Sequence, residues 1–239
     1  MKQLSTTESM QRLQNSLKTL KLSTIATILD EELARAAQSA TAPTELLERL
    51  FTAEADALIQ RRIERRIKES RLPERKLLVD FDFDFQKGVD KAQIMELAKL
   101  DFVHRKQGII FAGNSGTGKS HIAKALLLLG CRETYRCRYT TASDMLRDLF
   151  SGLADDTLAL KLKRYLSPDL LLIDEVGFDR LEQQDSRNAC LFHKVIDGRY
   201  CKKSTIITSN IDFKELGDYL GDLVITTAIV DRMVHHSII

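Results

Sequence analysis

The run GIIFAGNSGTGKSHIAKALLLL, residues 108–129, decides the fold. It reads as a short apolar strand, a glycine-rich loop and a helix. Gly113, Asn114, Ser115, Gly116, Thr117, Gly118, Lys119 and Ser120 fit the pattern G-x-x-x-x-G-K-[ST] in the strand-loop-helix setting that the pattern needs. Glycines at 113, 116 and 118 let backbone N–H groups turn inward around phosphate oxygens, and the helix that opens at Lys119, Ser120 and His121 aims its positive end at them. In this reading Lys119 holds the β and γ phosphates and the Ser120 hydroxyl completes a Mg²⁺ shell.

A phosphate loop alone does not specify hydrolysis. Sixty-one residues after Gly113, the apolar run 170–173 ends in Asp174 and Glu175. Asp174 is the candidate for Mg²⁺ and Glu175 for polarising the attacking water. Around these motifs the runs GIIFA, CRYTT, DLLLID and STIITS alternate with helical stretches. Strands apolar throughout, with crossover-length connections, predict a parallel sheet covered on both faces. The STIITS strand ends at Asn210, a candidate sensor of the γ-phosphate. No NKxD guanine motif occurs, which favours ATP over GTP.

Upstream, residues 1–72 hold no glycine, and their apolar residues recur at helical spacing. They predict a small all-helical domain, broken at residues 39–43, with its second long helix running to about Arg71. Leu72-Pro73 ends that helix. The run LLVDFDFDF, residues 77–85, alternates with period two and predicts an extended strand in a linker over residues 73–90, ahead of an α/β domain over 91–239. The chain length of 239 residues, roughly 1.6 domains of about 150, suits that division.

Composition excludes several classes. At 44% hydrophobic and 29% charged the chain is neither disordered nor fibrous. Cys131, Cys137, Cys190 and Cys201 form no CxxC pair, which argues against a zinc site or a disulfide scaffold. No apolar run approaches a membrane span, and a cytoplasmic protein is expected. The net charge of +2 hides an uneven distribution. Residues 59–76 carry eight basic and three acidic side chains, with Ile59, Ile63 and Ile67 on an apolar stripe. Without tryptophan and with 6% aromatics, contact with DNA would be ionic rather than by base stacking.

The segments GNSGTGKSH, LLLIDEVG, STIITSN and AIVDRMVHH together resemble the IstB-type ATP-binding helpers of insertion-sequence transposition. That family is similar to the replicative helicase loader DnaC, in the initiator and loader branch of the AAA+ ATPases. The resemblance covers nearly the whole chain. It implies an AAA+ P-loop core that binds ATP and Mg²⁺, self-associates into a ring or spiral, captures duplex DNA with little regard to sequence, and recruits and stimulates a transposase in the bacterial cytoplasm. Arg232 matches the arginine that reaches a neighbouring subunit's ATP, and Asn210 the sensor. Two departures stand out. Glu175 replaces a frequent second aspartate, and the chain stops at Ile239, before the GESYR-like end that would complete the last strand and supply a second-sensor arginine.

Two surfaces are candidates for DNA: Arg61, Arg62, Arg65, Arg66 and Lys68 on the basic helix, and Lys161, Lys163 and Arg164 on the helices after the second strand. Both readings carry phosphate contacts with little sequence information. Two alternatives stay open, a DnaC-like helicase loader and a nucleotide-gated DNA scaffold that hardly hydrolyses ATP.

Overall fold

The structure, a computed structural model, describes residues 6–86, 88–178, 187–211, 215, 216, 220 and 222–239. The chain divides into two compact units, Met1–Glu64 and Arg65–Ile239.

The first unit is helical. Helices α1 (Thr6–Thr19) and α2 (Ser23–Ser39) are separated at Lys21, whose φ of 59° turns the chain, and α2 ends at Ala40, also left-handed. Pro43 opens α3 (Pro43–Ser70), where its missing N–H costs no hydrogen bond. Leu17, Ile25, Leu29 and Leu50 form the core. Buried Glu54 caps α2 from α3, accepting bonds from the backbone N–H groups of Thr24 (2.7 Å) and Ile25 (3.0 Å) and from Arg61 Nη2 (2.6 Å). Burial pushes the Glu54 carboxyl up, but these donors outweigh it and leave the pKa lowered.

The units divide inside α3, ahead of the expected boundary at residues 72–73. The last turns of α3 belong to the second unit because Ile67 and Ser70 are buried there and the Cys131 thiol donates to the Arg66 carbonyl. The linker corrects the expectation more sharply. Residues 77–85 pair with no strand; they form a 3₁₀ turn at Leu78–Asp80 followed by further turns. Asp82 Oδ1 accepts from the N–H groups of Asp84 and Phe85, a local bond that competes with strand formation.

The second unit is a parallel sheet between helices. Strands β1 (Gly108–Ala112), β2 (Cys137–Thr141), β3 (Leu170–Val176), β4 (Ser204–Ser209) and β5 (Ser237–Ile238) lie in the order β2-β3-β4-β1-β5, every pairing parallel. The four expected strands are all present, and the two-residue β5 adds a fifth beside β1. Helices α4 (Lys91–Leu97) and α5 (Asp101–His104) precede β1; α6 (Lys119–Arg132) follows it; α7 (Ala142–Ala154) and α8 (Leu158–Leu166) follow β2; α9 (Arg187–Arg199) precedes β4 and α10 (Leu223–His235) precedes β5.

One sheet face sets Ile110, Leu171, Ile173 and Ile207 against Met145, Leu149, Phe192, Val195, Ile229 and Met233 of α7, α9 and α10. By strand alternation Leu170 and Leu172 face the other way, where Gly130 lets α6 come close to Leu170. At the amino end of the sheet, buried Arg199 donates to the carbonyls of Tyr165, Pro168 and Ser204 and to Thr205 Oγ1, joining α8, α9 and β4.

Candidate functional site

The phosphate-loop residues leave the carboxyl end of β1, and three of them are left-handed glycines: Gly113 (φ 146°), Gly116 (80°) and Gly118 (84°). Lys119 folds its ammonium back on the carbonyls of Gly113 and Asn114, both at 2.7 Å, and Thr117 Oγ1 donates to the Asn114 carbonyl. Burial lowers the Lys119 pKa, with Asp174 opposing.

The linker lies on this loop. A Cβ on Gly118 would overlap the Phe81 ring, Gln86 donates to the Gly116 carbonyl (3.3 Å), and His121 Nε2 is 2.9 Å from the Leu77 carbonyl oxygen. Gly118→Ala meets both a strained φ and this overlap. We expect a loss of about 1–3 kcal/mol and weaker nucleotide binding, read by thermal unfolding and by titration of a fluorescent nucleotide.

Asp174 is the hub. It is wholly buried at the end of β3; its Oδ1 accepts from Ser120 Oγ (2.7 Å) and Thr208 Oγ1 (2.5 Å), and its Oδ2 from Tyr139 Oη (3.2 Å). Burial first, and then the Asp174 charge, pushes the Tyr139 phenol well above its ordinary pKa, so the ring keeps its proton and donates. Glu175 follows at φ 63°, where the β3–β4 register shifts between Ile173 and Val176, and its N–H is held by Thr208 Oγ1 at 2.9 Å. A left-handed glutamate stores strain of about 1 kcal/mol or more. Its side chain is exposed, and its charge is near enough to raise the Tyr139 pKa. Asn210 directly follows β4, and its N–H donates to the Val176 carbonyl (3.4 Å). Because β4 lies between β3 and β1, Asn210, Glu175 and the phosphate loop share the carboxyl edge of the sheet.

The model of the IstB-like ATP binding protein family matches residues 15–239. The chain belongs to that family. Among its relatives, the insertion sequence IS232 ATP-binding protein of Bacillus thuringiensis subsp. berliner is 33% identical, with 96% of this chain and 90% of the relative aligned. The IS5376 ATP-binding protein of Geobacillus stearothermophilus is 39% identical over 82% of this chain and 77% of its own length. Among solved structures, DnaI matches with TM-score 0.57 and 20% identity, covering 69% of this chain and 89% of that one. AMPPCP-bound DnaA from Aquifex aeolicus matches with TM-score 0.51 and 24% identity, covering 63% and 47%. The fold is that of an AAA+ P-loop core preceded by a helical region.

In this IstB-like chain the sequence reading missed three groups around Asp174: Thr208, Tyr139 and Lys124, whose Nζ lies 3.6 Å from Oδ2. No local signal marks any of them: Thr208 is one of four hydroxyl residues in the six-residue strand STIITS. Arg232 lies apart from the hub. It donates to Asp197 Oδ1 on α9 (2.7 Å) and to the Ala228 carbonyl, and it borders a small cavity with Lys106 and Gly108, at the amino end of β1.

The basic candidates are partly committed to local partners. Arg61 is bound to Glu54 and to Ser23, while Arg65 and Arg66 share Glu69. Lys161 donates to Ser151 and pairs with Asp155, and Arg164 pairs with Asp148. Arg62, Lys68 and Lys163 are exposed. Among the described residues, no helix is long and apolar enough to cross a membrane.

Proposed function

We propose that the chain is an ATP-hydrolysing, DNA-binding subunit that assembles on ATP, captures target DNA and recruits the transposase of its insertion sequence. The observation that carries the hydrolytic part is the buried Asp174 bonded to Ser120 of the phosphate loop, with Glu175 beside it on a strained bulge. The relatives' names, ATP-binding proteins of insertion sequences, support the transposition setting.

The donor set fits magnesium, a hard cation that takes oxygen ligands: a serine hydroxyl and a carboxylate meet at one point beside a loop with three glycines at positive φ. When bound, the ion supplies charge that neutralises the phosphates. Ser120 and Asp174 would hold it. The loop N–H groups and Lys119 bind and orient the triphosphate. A cavity of about 310 Å³, lined by Gln86, Val89, Ile94, Ile109, Lys119 and Ile238 among others, adjoins the loop and suits the base. Glu175 accepts the proton of the attacking water, and Asn210 orients that water from the neighbouring strand. Arg232 serves the ATP of the adjacent subunit.

DNA capture rests on charge. We expect affinity for duplex DNA that requires ATP and falls steeply with salt, as phosphate contacts dictate. Replacing exposed Arg62, Lys68 and Lys163 together by alanine should flatten the slope of log affinity against log salt by about one for each phosphate that no longer meets a cation. Fluorescence anisotropy on two unrelated duplexes measures it. An unchanged slope removes these residues from the interface, and binding confined to one duplex removes the sequence-independent reading.

A further inference from the structure

Lys124 stands one turn along α6 from Ser120, on neither the phosphate loop nor the strand that carries the carboxylates. Its ammonium is 3.6 Å from Asp174 Oδ2 and 3.4 Å from Glu74 Oε1, and it lies 5.6 Å from the centre of the Tyr139 ring. The side chain is only 14% exposed. Glu74 belongs to the segment between α3 and the 3₁₀ turn, and it also pairs with Lys76 at 3.1 Å. One half-buried cation therefore serves two carboxylates, one beside the phosphate loop and one on the linker.

The physical consequence concerns metal affinity. A wholly buried carboxylate needs a counter-charge, and Lys124 supplies one at the oxygen that Tyr139 also binds. A divalent cation drawn to Asp174 meets that ammonium as a like charge, in a setting where screening by water is weak. Glu74 acts in the opposite sense, because it draws the same ammonium outward.

We propose that Lys124 sets the magnesium affinity of the Ser120–Asp174 site, and that Glu74 tunes this setting from the linker. Lys124 is a positioning residue and touches no reacting atom. The proposal rests on reading Ser120 and Asp174 as the magnesium residues.

The test uses the full chain, a fluorescent non-hydrolysable ATP analogue and MgCl₂, and reads the magnesium concentration at half-maximal enhancement of analogue binding. Lys124→Met should lower that concentration by about tenfold, whereas Lys124→Arg, which keeps the charge, should stay within about twofold. Glu74→Gln should raise it by about threefold, and should have no effect in the Lys124→Met background. Analogue affinity without magnesium and the unfolding midpoint report on folding, and Lys124→Gln replaces Lys124→Met if the latter does not fold. An unmoved or raised magnesium requirement in both neutral variants overturns the proposal. So does a Glu74→Gln effect that survives the loss of Lys124. Ser120→Ala separates the two levels: if it leaves the magnesium requirement unmoved, the metal reading itself fails, whereas a weakened metal response there with no response at Lys124 removes only the role of Lys124.

Discussion

Glu175→Gln should bind ATP as the native chain does and lose about 10²–10⁴-fold in turnover. Glutamine keeps the size of the side chain and leaves the backbone bond from the residue 175 N–H to Thr208 Oγ1 in place, so the bulge and the Asp174 hub persist. What it removes is the ability to take a proton from water. Steady-state phosphate release and equilibrium nucleotide binding, measured on one preparation, separate the two effects. Turnover above about a tenth of the native rate, well short of that range, would sink Glu175 as the base. Loss of nucleotide binding would instead make it a structural residue, holding the strained turn at φ 63°.

Arg232→Ala should be as inactive alone, by about 10³-fold or more, and should recover activity when mixed with Glu175→Gln. Arg232 borders the same cavity as Lys106 and Gly108, which precede or open β1, whereas Lys119 follows its far end. Five strand residues separate those ends by about 17 Å. An arginine there is too far away to reach its own subunit's nucleotide, which is why the proposal assigns it to a neighbour's. In a mixed assembly, some interfaces pair an intact Glu175 on one subunit with an intact Arg232 on the next. The rate should rise and then fall as the mixing ratio is varied; a flat, inactive profile at every ratio would remove the trans arrangement. Within the subunit the guanidinium is held by Asp197 of α9 at 2.7 Å.

Much of the core was legible because its signals are local. The phosphate loop is contiguous, β1 and the first four residues of β3 are short apolar runs, and Pro43 suits the first turn of a helix. The linker misled for a physical reason. Period-two alternation of phenylalanine and aspartate is the pattern of a half-buried strand, but Asp82 bonds the N–H groups two and three residues on, and Phe81 packs on Gly118 while Phe85 stays exposed. Aspartate's local bonding overrode the pattern. The first surface helix misled in a different way: counting arginines cannot reveal that Arg61 is committed to Glu54, seven residues back, and to Ser23 on another helix. The partners of Asp174 were hidden for the same reason, since Tyr139, Lys124 and Thr208 meet only through sheet register and helix placement.

That convergence bears on how the chain folds. Ser120, Tyr139, Asp174 and Thr208 come from α6, β2, β3 and β4, and the bonds joining them to Asp174 span 54, 35 and 34 residues. No early local contact assembles such a cluster, because long loops must close before any of its bonds forms. The hub therefore exists only once three parallel strands are in register. A ligand that binds it draws on the native sheet alone, so ATP with magnesium should act as a late clamp on folding, raising stability in proportion to the logarithm of its concentration.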